Sequence, residues 1–168
     1  MSRLSVLLLS GTALLLAACG DEETPLCKAI DANRAAYRAA EKQENQIARD
    51  AALKKAVSEG RQRIAEVASA GGFKGWKAEV KSVSPSLKGL ADVKLTLPCK
   101  GTLIAEGAAP GSDLYKQVVA LKEGKVATFD GAFIPAADGS APYREISITA
   151  WGEMTDPELI VRLSSIKQ

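Results

Sequence analysis

The sequence predicts an α+β chain: a helical N-terminal region followed by a small antiparallel β-barrel that carries one short helix. Three observations carry that expectation. Across residues 26–69 there is no proline and Gly60 is the only glycine, while alanine occurs twelve times among Arg, Lys, Glu and Gln. These are strong helix formers. From Phe73 onward the character changes to short alternating runs punctuated by Gly and Pro, the pattern of half-buried strands. Between the third and fourth of those runs, Leu114, Val118 and Leu121 recur at i, i+4 and i+7, the period of one short amphipathic helix.

The helical region opens with Thr24 placed to cap and Pro25 at the first helical position. Its larger apolar residues are sparse, namely Leu26, Ile30, Tyr37, Ile47, Leu53, Val57, Ile64 and Val67. Alanines fill the gaps, so the apolar stripe is narrow. One unbroken helix of 44 residues would run about 66 Å, against a radius of gyration of about 13 Å for a 100-residue domain. The region is therefore either a long helix or a helical hairpin. Candidate breaks are residues 42–46 and 58–60. Basic residues number nine against six acids, the mark of a solvated helical face rather than a lipid-headgroup contact.

The expected strands are 75–83, 90–97, 101–106, 125–134, 144–151 and 159–166. Turn signals separate them: Ser84-Pro85-Ser86, Pro98, Ala109-Pro110-Gly111, Ala137-Asp138-Gly139-Ser140 and Thr155-Asp156-Pro157. Ser112 can cap the short helix and Gly124 can end it.

The first 18 residues read as a signal peptide. Arg3 is followed by an apolar and small-residue run over 4–18, too short for the roughly 20 residues of a membrane span. Leu16-Ala17-Ala18-Cys19 resembles the lipobox of bacterial lipoproteins. The resemblance implies cleavage before Cys19, acylation of its thiol, and a cell-envelope location facing the periplasm, attached to the membrane through N-terminal acyl chains. Gly20 follows where an inner-membrane sorting signal would place Asp, which favours the outer membrane, although Asp21 comes next. The chain then divides into a signal (1–18), a tether (19–25), a helical region (26–70) and a β-barrel domain (71–168).

Of three cysteines, Cys19 takes the lipid and leaves Cys27 and Cys99. In an oxidising compartment an even remainder reads as a disulfide. There is no CxxC, and two thiolates without histidine make a poor metal site. A Cys27–Cys99 bond requires Cα atoms within roughly 7 Å. Cys27 lies at one end of the helical region, so the helix breaks or the barrel lies against that end.

Three strands, a helix and two or three strands match the order of the OB-fold, a five-stranded barrel with its helix between strands three and four. Residues 121–133 (LKEGKVATFDGAF) resemble a hallmark of bacterial OB-fold-like envelope proteins, a "leucine, x, x, glycine, x, x-valine, x-phenylalanine, x-glycine" run that enters strand four. Gly75-Trp76 and residues 155–159 are similar to that group too. The resemblance spans about 95 residues and implies fold more than function.

The composition excludes much chemistry. The chain has 168 residues, no histidine, and a net charge of +2 from 22 basic and 20 acidic residues. Without histidine, Ser-His-Asp and Cys-His catalysis and His-ligated zinc are ruled out. So weak a net charge gives no reason to expect nucleic acid. Trp76, Phe129 and Phe133 read as core, whereas Tyr143 and Trp151, flanking the fifth run, could line a binding face. Asp130, Glu145, Glu153, Asp156 and Glu158 show no spacing that selects an acid–base pair or a metal site. No catalytic residue, metal or cofactor is expected. The expected function is a lipid-anchored, non-catalytic binding module with an envelope protein partner, the helical part setting its reach. The alternatives are a prophage or plasmid exclusion lipoprotein and, ranked last, a glycan- or peptidoglycan-acting enzyme.

Overall fold

The computed structural model describes residues 23–86 and 89–168. Cys19 and the expected signal peptide lie outside the described residues. The chain folds as a helical hairpin followed by a closed five-stranded OB-like barrel with its short helix.

Helix α1 (Pro25–Glu41) starts as its sequence dictates: the Thr24 hydroxyl accepts from the Cys27 amide at 3.2 Å, and Pro25 occupies the first turn. The helical region breaks at the first of its two candidate sites. Asn45 caps α2 (Gln46–Ser69), its side chain accepting from the Ala48 amide at 3.0 Å. Gly60, the second candidate, lies inside α2 and serves packing instead. A Cβ there would sit 2.5 Å from Met154 Sδ and 3.1 Å from Asn33 Cγ. Asn33, buried between the helices, donates from Nδ2 to the Gly60 carbonyl at 3.2 Å and accepts from Arg63 at 2.9 Å. Both ends of a buried amide are thus satisfied.

The barrel strands are β1 (Phe73–Pro85), β2 (Ala91–Thr96), β3 (Thr102–Ala108), β4 (Val126–Phe133) and β6 (Glu158–Lys167), with a two-residue β5 (Arg144–Glu145) pairing with β6 beyond the end of β4. The long β1 serves two partners, pairing antiparallel with β4 through its first half and with β2 through its second. A register shift between Val80 and Ser82 bends it between them. Parallel pairing of β3 with β6 closes the barrel, the closure that removes free strand edges. Val80, Val93, Leu95, Leu103, Phe129, Leu159, Val161 and Ile166 fill the interior. Phe73, Trp76, Phe129 and Phe133 pack as one aromatic cluster, with Phe73 and Trp76 stacked at 4.5 Å. Phe129 and Phe133 are core residues, as expected, and Trp76 packs half-buried against that core.

The run 121–133 owes its last glycine to crowding. A Cβ on Gly131 would collide with the Arg162 carbonyl and come within 2.9 Å of the Phe73 ring. Helix α3 (Asp113–Val119) is capped by Ser112, whose hydroxyl accepts from the Tyr115 amide at 3.1 Å, and buries Val118. It is shorter than expected: Ala120 caps it, and Gly124 (φ 73°) belongs to a separate turn whose amide donates to Val80 O at 2.8 Å.

The expected strand 144–151 is corrected. Only β5 pairs with β6, and helix α4 (Ala150–Thr155) follows. Two local effects end the ladder. Ile146 still donates to the Glu158 carbonyl at 3.0 Å, but β6 begins at Glu158, after Pro157. The next residue therefore has no strand partner, and its amide, that of Ser147, donates to Glu145 Oε1 at 2.8 Å. Thr149 then caps α4 by accepting from the Gly152 amide at 3.0 Å. Ile146 and Ile148, whose alternation imitates a strand, are exposed.

The disulfide joins Cys27, in the first turn of α1, to Cys99, in the β2–β3 turn, with a Cα–Cα distance of 5.3 Å. Leu26 and Ile30 bury against the barrel, and Ile30 fills the space beside Gly101. Hairpin and barrel therefore share one core rather than forming a stalk and a head. Among the described residues no helix is long and apolar enough to cross a membrane.

Candidate interaction cleft

Two adjoining clefts lie where the hairpin meets the β5–α4 segment. One, of about 640 Å³, is lined by Arg61, Gln62 and Ala65 of α2 and by Ala141, Tyr143, Glu145, Ile148 and Glu153 opposite. The other, of about 470 Å³, lies among Tyr37, Leu53, Val57, Arg61 and Ala150. Arg61 and Ala150 border both.

The fold supplies this surface because α2 outruns the barrel. Its buried residues are Ala56, Gly60, Ile64 and Ala68, all in its C-terminal two-thirds. Leu53 and Val57 are only half-buried, and Ile47 is 82% exposed. Across the cleft, the segment that fails to continue β5 leaves Ile148 99% exposed and Trp151, on α4, 47% exposed.

The polar floor is fixed. Arg61 grips Glu153 with both nitrogens of its fork, Nε to Oε1 at 2.6 Å and Nη2 to Oε2 at 2.9 Å. That bond holds the guanidinium pKa above its ordinary value. The Tyr143 hydroxyl, 6% exposed as a residue, donates to the Arg61 carbonyl at 3.4 Å. Burial first, then the nearby Glu153 charge, raises its pKa to about 12. Glu145 Oε1 accepts from the Ser147 and Glu158 amides. Both carboxylates of the cleft are thus engaged in structural bonds.

Of the two residues singled out in the sequence as a binding face, Tyr143 lines the cleft, whereas Trp151 lines neither cleft although its neighbour Ala150 borders both. Tyr143 is a buried wall of the first cleft, and Trp151 is presented by a helix. Glu145 and Glu153 converge there, whereas Asp130 fastens strands elsewhere. Asp130 accepts from the Gly75 amide at 2.7 Å and from Ser165 Oγ at 3.0 Å, and the first of these bonds does most to lower its pKa. Asp156 belongs to a clamp built by Arg34, which donates to the carbonyls of Thr155 (3.1 Å) and Cys99 (2.7 Å) and reaches Asp156 at 3.4 Å. Among the described residues no group of three or more His, Cys, Asp or Glu is placed to hold a metal ion.

Arg61, Tyr37, Leu53, Val57 and Ile148 escaped the sequence reading. Leu53 and Val57 carry no distinguishing signal, because with Ile64 and Val67 they read as one apolar stripe. Arg61 carries none, because its partner is 92 residues away.

Comparison with protein-family models, with curated proteins and with solved structures finds no match. The class is therefore defined by architecture alone: an OB-like barrel with a disulfide-linked N-terminal helical hairpin.

Proposed function

We propose that this chain is a lipid-anchored binding protein of the bacterial cell envelope, and that the cleft between the hairpin and the β5–α4 segment receives a protein partner. The observation that carries the reading is the open apolar surface of Leu53, Val57 and Ile148 around the Arg61–Glu153 pair. Apolar walls around a few oriented polar groups are the usual anatomy of a recognition surface. The lipobox at Cys19 supports the location.

The test places a photo-crosslinking residue at position 148 or, as a control, at the exposed Val119 on α3. In intact envelopes position 148 should yield a discrete crosslinked protein that position 119 does not, and Leu53→Asp should abolish it. Equal patterns from both positions would reject the cleft as the interaction surface.

A further inference from the structure

A second surface, away from that cleft, surrounds the start of α1. A depression of about 750 Å³ runs between α1 and β1, lined by Glu23, Thr24 and Lys28 on one side and by Lys74, Trp76 and Lys77 on the other. Pro98 and Cys99 close its end. Strand alternation extends the same chemistry outward. Ala78 and Val80 point into the barrel, so Lys77, Glu79 and Lys81 point out of it. On the neighbouring strand Lys94 is outward, its position opposite Ser82, beside the bulged Lys81. Lys100 follows in the β2–β3 turn. Lys28, Lys74, Lys77, Lys81, Lys94 and Lys100 are all exposed on this face.

Few acids are set among them. Asp31 is taken by Arg34, and Asp92 and Glu123, at the far end of β1–β2, accept from the Gly107 and Val83 amides. Glu23 and Glu79 remain, and Asp130, bonded to the Gly75 amide, lies near Lys74, whose charge helps lower its pKa. A chain that is nearly neutral overall thus concentrates lysine on one face of its barrel. Trp76, half-buried in the aromatic cluster, lies beside the lysines. An amphipathic ring of this kind suits the boundary between water and headgroups.

The position of the face matters more than its charge. Residues Cys19 to Thr24 span at most about 18 Å when fully extended, and Thr24 lies at the edge of this depression. Acylation at Cys19 would therefore hold the rim of this depression, at Thr24, within that distance of the bilayer, with the lysine face extending from it along β1 and β2. We propose that the outer face of β1–β2, with Lys28 and Trp76, is the surface this protein turns toward the anionic phospholipid headgroups of the membrane in which it is anchored. Lysines near a negatively charged bilayer are attracted within a Debye length, about 8–10 Å at ordinary salt. Asp21 and Glu22 in the tether oppose the attraction, so it orients a domain that the acyl chains already retain and does not anchor it. The proposal rests on acylation of Cys19.

The test uses the mature lipidated protein in vesicles of phosphatidylcholine alone or mixed with phosphatidylglycerol. Lysines are labelled with a water-soluble amine reagent and read by mass spectrometry. In the phosphatidylglycerol vesicles Lys74, Lys77, Lys81, Lys94 and Lys100 should label several-fold more slowly than in phosphatidylcholine alone. Lys54, Lys55 and Lys116, exposed elsewhere, should not change. High salt should erase the difference, and Lys81→Glu with Lys94→Glu should erase it at the remaining three lysines while leaving the circular dichroism spectrum intact. Equal labelling in both vesicles, from protein that floats with them, overturns the orientation and leaves the anchor standing. Protein that fails to float with either vesicle and carries an unmodified Cys19 overturns the anchor and this proposal with it. Protection by dissolved polyglutamate but not by phosphatidylglycerol reassigns the face to an acidic protein and equally overturns the proposal.

Discussion

Single residues hold this fold where the chain crowds itself. At Gly131 a methyl group has nowhere to go, because a backbone carbonyl of β6 and the Phe73 ring occupy its place. Forcing extra atoms into a packed interior typically costs about 1–3 kcal/mol. Gly131→Ala should lower stability by that order in a urea titration, whereas Gly139→Ala, in open space at the surface but at φ 74°, should cost only its backbone strain. Tyr143 offers a second measurement. Its hydroxyl pKa is raised to about 12, chiefly by burial. The neutral phenol is therefore the form the folded state prefers. Its contribution to stability is complete below about pH 10, where the unfolded phenol is neutral as well, and is lost as pH rises toward about 12. In an ultraviolet titration Tyr143 should give a final ionisation step near pH 12. Tyr143→Phe should remove that final step; a titration unchanged by the substitution would contradict the assignment.

At the scale of elements, what could be read from the sequence was what is local. Thr24, Pro25 and Ser112 mark helix starts because a cap is made within three residues of the capping side chain. The strand–helix–strand order is legible for the same reason. The hairpin break was readable only as one of two candidates, since Gly60 signals a breaker as easily as a close packing site. What chose between them was Met154, 94 positions downstream. The misjudged strand 144–151 shows the opposite failure. The alternation of Ile146 and Ile148 is real, but past Ile146 it has no partner to serve, because β6 begins at Glu158. The Arg34 clamp and the Arg61–Glu153 pair could not be seen at all, for their partners lie 65 to 122 residues away. The same distance explains why the cleft was glimpsed through Tyr143 yet not located.

The molecule as a whole depends on one covalent bond across its two parts. The disulfide closes a separation of 72 residues, worth about 4 kcal/mol in the chain-entropy account. Cys27→Ala together with Cys99→Ala should lower the unfolding midpoint accordingly. The loss should appear as one cooperative transition, because α1 and the barrel share a core. Two separate transitions would show that the hairpin folds independently.

That bond also decides how the protein would bear tension. A pull applied at the N-terminus and resisted by the barrel enters at Cys27 and passes directly to Cys99. The stretch between them, both long helices and two barrel strands, lies off the load path. Fully drawn out it would amount to about 250 Å of slack. With the bond intact that slack stays locked away, and the first elements to feel the strain are the Cys99 turn and the β3–β6 seam beyond it.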